Sequence, residues 1–160
     1  RFEFSDALHG RIAQLPHIAS IKIPGVPADA AEAKARVQRL RAVVPAHVSI
    51  GVIGDALGAK GLVAGCDAWY SVIGGLWPQT TLAITRAALA GDTAQALELS
   101  HRLAPLWSWF QQKGGSLRSV ATAAELMGLA RSPCLPLPLH TLQGADRAAF
   151  AALLQTLDLA

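Results

Sequence analysis

The stretch His17-Ile18-Ala19-Ser20-Ile21-Lys22-Ile23-Pro24-Gly25 decides the reading of this chain. Its middle, Ile18 to Ile23, is short and rich in β-branched residues, and Pro24-Gly25 ends it. A run of that kind predicts a buried strand followed by a loop. Upstream, Ser5 or Asp6 can cap a helix to about Gln14, with Leu8, Ile12 and Leu15 as its apolar stripe and Pro16 as its stop. Downstream, Asp29 to Val44 has helical periodicity with Ala30, Ala33, Val37, Leu40 and Val44 inward, and Pro45 closes it.

The same alternation then repeats. Val48 to Ile53 predicts a second strand, ended by Gly54-Asp55, with a short helix from about Ala56 to Ala64. Ala68 to Ile73 predicts a third strand, ended by Gly74-Gly75, and Pro78 suits the first turn of a helix from Gln79 to Ala90. Strands alternating with helices argue for a parallel sheet with right-handed crossovers. After Gly91 the strands stop. Asp92 caps a long helix to about Lys113, and a further helix runs from about Ser116 to Leu129. Pro133, Pro136 and Pro138 make the next segment extended and irregular. A last amphipathic helix covers about Ala145 to Leu157. The expected fold is therefore α/β, about three parallel strands with their helices over residues 1–90 and a helical extension over 91–160. Three strands do not close a core, and a β/α barrel takes about 250 residues. The first half of such a barrel is expected N-terminal to Arg1; the single Met127 is also consistent with a piece of a longer product.

Composition excludes several classes. The 160 residues are 52% hydrophobic and 16% charged, which is too apolar for disorder. A net charge of +3 is scattered over helix faces such as that of Arg36, Arg39 and Arg41, so no nucleic-acid partner is expected. Two cysteines, Cys66 and Cys134, make no disulfide framework, and a reducing cytoplasm is the default compartment. No apolar run reaches the roughly 18–20 uncharged residues that span a bilayer. The five histidines are isolated, so no metal and no cofactor are expected.

In β/α barrels chemistry sits at the C-terminal strand ends, where the loops converge. The first strand here ends in Lys22. Between two isoleucines this lysine is expected to be less solvated than a surface lysine, and burial favours the neutral amine, a nucleophile for ketones. Alternatively, Lys22 is a strand-end lysine snorkelling to water or pairing with a carboxylate. At the second strand end Gly54 lets a small ligand approach the backbone, and Asp55 could orient a hydroxyl or water; the plainer reading is a turn glycine and a helix cap. At the third, Trp69 and Tyr70 must face opposite sides of the sheet, and alternation does not say which faces the interior.

These positions resemble one known family. Leu15-Pro16-His17-Ile18-Ala19-Ser20-Ile21-Lys22 resembles the "N-I-hydrophobic-G-I-K" strand of the dihydrodipicolinate synthase/N-acetylneuraminate lyase family, whose lysine forms a Schiff base. Gly51-Val52-Ile53-Gly54-Asp55 resembles its next strand, ending in Gly-Asp. Leu62 to Val72 resembles "L-x-x-G-x-x-G-x-I-S-V", Gly91 to Leu106 the "G-D/N…L-x-P-L" helix, and Gly128 to Leu142 the C-terminal "G-L…R-x-P-hydrophobic-x-P" stretch. The likeness covers nearly the whole chain in order. It implies the C-terminal half of a (β/α)8 barrel plus a helical extension, a homo-oligomer (dimer or tetramer), and a lyase joining pyruvate or a related 2-oxo acid to an aldehyde, or cleaving that product, through an imine on Lys22. It further implies that Tyr70, through its backbone, and Gly54 line the keto-acid pocket; Asp55, from its place after Gly54 at the strand end, is the third substrate-binding candidate.

Several departures mark a divergent subgroup with an unassigned substrate. The polar run after the family's lysine is here Ile23-Pro24-Gly25-Val26. Gly75 replaces an asparagine, Ser116-Leu117-Arg118-Ser119 replaces "N-P-x-P", and Pro136 replaces the arginine of "R-x-P". Two other functions share the same lysine: dehydration of a 2-keto-3-deoxy sugar acid, and non-catalytic keto-acid binding by a paralogue.

Overall fold

The computed structural model describes residues 2–160. Three strands, β1 (Ser20–Ile23), β2 (Ser49–Ile53) and β3 (Ala68–Tyr70), form one sheet in that order, both pairs parallel. Before, between and after them come helices α1 (Asp6–Ala13), α2 (Ala30–Val43), α3 (Gly58–Val63) and α4 (Pro78–Leu89). The α5 (Thr93–Arg102), α6 (Ala104–Gln112), α7 (Leu117–Leu126) and α8 (Gly144–Thr156) helices follow without further strands. This is the expected α/β unit with a helical tail.

Among the described residues, helices cover one face of the sheet. Ile21, Ile23, Ile50 and Val52 point into a core shared with Val37 and Leu40 of α2, each 7% exposed or less. Period-two alternation therefore sends Ser20, Lys22, Gly51 and Tyr70 to the opposite face. A second core lies among the tail helices around Leu106, Ala123 and Phe150, and Trp69 packs against both. Phe150 is fully buried and stacks on Trp109 at 5.3 Å between ring centroids.

Local chemistry explains the element boundaries. The Ser5 hydroxyl accepts from the Leu8 amide, and the Asp29 and Asp92 carboxylates accept from the Glu32 and Gln95 amides, so each caps its helix. The long helix expected from Asp92 to Lys113 is two helices, hinged at Leu103. Pro105 has no amide to donate to the His101 carbonyl four residues back, and the Trp107 indole adds a hydrogen bond to the Ser100 carbonyl at 2.9 Å. The third strand is also shorter than the expected Ala68–Ile73, because Ile73–Gly75 turns into a 3-10 helix.

The expected stripe of α1 is not the one used. Leu15 is exposed, and α1 instead buries His9, Gly10 and Ala13. Gly10 allows the approach: a Cβ there would lie 2.9 Å from the Val43 carbonyl oxygen of α2. Asp6 of α1 further pairs with Arg36 and Arg39 of α2. These ion pairs hold the Asp6 carboxyl below its usual range, the Arg36 hydrogen bond being the largest influence, outweighing a small upward push from burial.

Candidate active site at the strand ends

Lys22 stands at the C-terminal end of β1 on the uncovered face and is exposed. This corrects the expectation of a lysine buried between two isoleucines. Its neighbours Ile21 and Ile23 are buried, but alternation turns Lys22 away from them toward the side where no helix lies. Among the described residues no carboxylate pairs with it.

The register puts Lys22 opposite Gly51, and Gly51 opposite Ala68. Tyr70, at the end of β3, lies on the same face as Lys22, while Trp69 turns into the helical layer and covers Gly58, where a Cβ would sit 2.4 Å from the indole. That settles which of the two aromatic residues faces the interior side. The Tyr70 ring leans back across β2. A Cβ on Gly51 would lie 2.2 Å from its Cε2 atom, so the ring fills the side-chain space that glycine leaves. Its hydroxyl lies 2.5 Å from the Ser20 Oγ on β1.

Gly54 follows β2 with φ +87° and ψ 106°. Space for a side chain exists there, the nearest atom being 3.8 Å away, so the backbone conformation is what demands glycine. It turns the chain directly into Asp55. The Asp55 residue is 6% exposed. Its Oδ1 accepts from the Ser71 hydroxyl and the Val72 amide, both at 3.0 Å, and its Oδ2 from the Ile73 amide at 3.3 Å. The carboxylate thus brackets the end of β2 to the turn that follows Tyr70. Burial pushes the Asp55 carboxyl up, against the opposing pull of the Val72, Ser71 and Ile73 hydrogen bonds. The Trp69 indole N–H is buried without a partner in hydrogen-bond geometry, yet lies near enough to help stabilise the ionised carboxylate.

Gly54 and Asp55 line a cleft of about 550 Å3 walled on its other side by Ala104, Trp107, Ser108 and Gln111 of α6. Lys22 and Tyr70 do not line that cleft. The site therefore has two parts: an open sheet face carrying Lys22, Ser20 and Tyr70, and a cleft at the end of β2. The Asp55 bracket joins them. Sequence reasoning gave Asp55 a place but not its three donors, which come from a segment 16 to 18 residues later. Ser20 was missed altogether; a hydroxyl in the residue row of the lysine was its only signal. Among the described residues no group of three or more His, Cys, Asp or Glu could hold a metal ion, and no helix is long and apolar enough to cross a membrane.

Comparison with known proteins places these features in a family context. The model of the dihydrodipicolinate synthetase family matches residues 7–157. The chain is similar to a dihydrodipicolinate synthase from Agrobacterium tumefaciens, with 38% identity and a TM-score of 0.87 over 98% of this chain and 52% of that one. It is also similar to a 4-hydroxy-tetrahydrodipicolinate synthase from Methylacidiphilum fumariolicum, at 27% identity and a TM-score of 0.67, over 84% of this chain and 43% of that one. A dihydrodipicolinate synthase from Aquifex aeolicus shares the fold at 21% identity and a TM-score of 0.78, over 97% of this chain and 51% of that one. The chain thus spans about half the length of these structures. A comparison with curated proteins returned no match.

Proposed function

Because the chain belongs to the dihydrodipicolinate synthetase family, we propose that it supplies the lysine-bearing half of a class I Schiff-base lyase acting on pyruvate or a related 2-oxo acid and an aldehyde. The rest of the barrel is contributed by a segment preceding residue 1 and closes over the uncovered sheet face. Lys22 is the imine-forming residue. Gly54 and the Tyr70 backbone line the keto-acid pocket, and Asp55 keeps the loops after β2 and β3 in register with each other. The working protein is a homo-oligomer, a dimer or tetramer, acting in the cytoplasm.

The observation that carries this reading is the position of Lys22. It stands at the C-terminal end of its strand, on the face opposite the helices and free of any carboxylate partner among the described residues. In a β/α barrel that is where reacting groups converge. The amine nitrogen adds to the ketone carbon, and the carbinolamine loses water to give an imine. In its protonated form the imine accepts the electron pair of the adjacent C–H or C–C bond, so the neighbouring carbon can join to an aldehyde or leave from one.

Borohydride reduction in the presence of pyruvate tests the proposal. The reading expects an irreversible mass gain on the peptide containing Lys22, together with loss of any lyase activity, and no gain in Lys22→Ala. A folded protein that gains no mass at Lys22 under these conditions refutes it. Product analysis with candidate aldehydes and with 2-keto-3-deoxy sugar acids then separates aldol chemistry from dehydration.

A further inference from the structure

Two small residues on neighbouring strands, Gly51 on β2 and Ser20 on β1, meet one aromatic ring, that of Tyr70 on β3. Gly51 on β2 has no side chain, and the Tyr70 ring from β3 occupies the vacated space. Lys22 is the β1 partner of Gly51 in the register, and parallel strands lie about 4.8 Å apart. The ring therefore stands in the side-chain column adjacent to the lysine. Beyond Gly51 the phenol reaches Ser20, two residues before Lys22 on the same face.

The hydrogen-bond direction follows from proton counting. A serine hydroxyl has one proton. Ser20 Oγ donates it to the Ser49 carbonyl at 3.2 Å, so the Tyr70 hydroxyl donates to Ser20 Oγ at 2.5 Å. The ring is thereby pinned at both ends, by its own backbone on β3 and by the hydroxyl on β1. In this chain the pinned ring packs into neither core cluster, Tyr70 being 42% exposed on the open face of the sheet. The two partners also sit where the family motifs quoted above carry glycine, at Ser20, and isoleucine, at Tyr70. Two departures 50 residues apart in sequence are in direct contact.

We propose that Tyr70, held by Ser20, is a specificity-determining wall beside Lys22 that restricts the keto-acid pocket to short 2-oxo acids. The inference rests on the lyase reading and adds the size limit of its substrate. A rigid aromatic bar next to the amine leaves room for the methyl end of pyruvate and meets the longer chain of 2-oxobutanoate. One methylene against an apolar wall is worth about 10- to 200-fold in selectivity.

The test is borohydride trapping on the polypeptide carrying the preceding barrel segment, with pyruvate and 2-oxobutanoate compared as the ratio of trapping rate constants per concentration. The native protein favours pyruvate. Tyr70→Ala shifts the ratio toward 2-oxobutanoate by at least about tenfold. Tyr70→Phe and Ser20→Gly release the pin and shift it in the same direction by less, and the double variant Ser20→Gly/Tyr70→Phe shifts it no further than the larger of the two. An unchanged ratio in folded Tyr70→Ala overturns the proposal. If that variant does not fold, an unchanged ratio in both Tyr70→Phe and Ser20→Gly overturns it equally. A native protein that traps pyruvate but shows no preference sinks the wall alone. A native protein that traps neither acid sinks the lyase reading and the wall with it.

Discussion

Replacing Asp55 is expected to loosen the junction between the two parts of the site, by an amount that depends on what replaces it. In Asp55→Ala the Val72 and Ile73 amides lose their acceptor, while the Ser71 hydroxyl can turn to water. Each buried donor left unpaired costs about 1–3 kcal/mol. The Ile73 hydrogen bond is buried and that of Val72, an exposed residue, only partly so; with relief of the carboxylate's own desolvation a net loss of about 1–3 kcal/mol is expected. Asp55→Asn keeps one acceptor oxygen for Ser71 and Val72 but turns an NH2 toward the Ile73 amide, a mismatch of about 1 kcal/mol. The pH dependence has a definite sign. The folded Asp55 carboxyl binds its proton more tightly than the unfolded one because burial raises it. Between the two values the folded state holds more protons, so wild-type stability falls as pH rises. The advantage of wild type over Asp55→Asn is therefore largest below the unfolded value of about 3.9, shrinks as pH rises through the folded value, and is constant above it. Urea unfolding of the three proteins from pH 3 to 8 (roughly the carboxylate window), with amide exchange at Val72 and Ile73, measures both effects. A loss below about 0.5 kcal/mol in Asp55→Ala would refute the bracket; a wild-type advantage over Asp55→Asn that grows with pH would instead mean that the bracket's hydrogen bonds outweigh burial.

Two other perturbations probe the helical tail. Phe150→Ala removes a fully buried ring stacked on Trp109, and urea unfolding should show a loss of about 3–5 kcal/mol; a near-neutral result would mean that the tail helices do not pack as described. Glu125 ties α7 to α8 and to the proline-rich segment, accepting from Arg147 at 2.7 Å, from the Cys134 amide and from the Thr141 hydroxyl. Burial acts to raise its carboxyl, but the Arg147 and Cys134 hydrogen bonds outweigh burial and leave it below the usual range. Its contribution is thus present above the unfolded value near pH 4.3 and is lost as pH falls. Glu125→Gln should speed proteolysis between residues 131 and 142 at neutral pH, with wild type approaching the variant in acid; equal cleavage rates at neutral pH would count against the tie.

The strands and their order were legible because short β-branched runs closed by Pro24-Gly25, Gly54 and Gly74-Gly75 leave few other readings. The place of Lys22 at a strand end was legible because Pro24-Gly25 closes the β-branched run just after it. Its exposure was not, since alternation says only that Lys22 and Ile21 point to opposite sides, not which side helices cover. The same blindness left Trp69 and Tyr70 undecided until the helices fixed the covered face. Pro105 could have announced the break at Leu103, but the apolar pattern continues through it and hides the hinge. Leu15 failed as a core residue because Gly10 lets α1 approach α2 by another edge. The contacts of Asp55 with Val72 and Ile73, and of Ser20 with Tyr70, are tertiary pairings across 17, 18 and 50 residues, which no local pattern encodes.

The decisive measurement is a crystal structure of the complete barrel after pyruvate and borohydride treatment. It should show a carbon substituent bonded to the Lys22 Nζ, lying against the Tyr70 ring inside a closed cylinder of strands. Density for the reduced adduct on Lys34, Lys60 or Lys113 instead, with Lys22 unmodified, would contradict the assignment of the reacting amine.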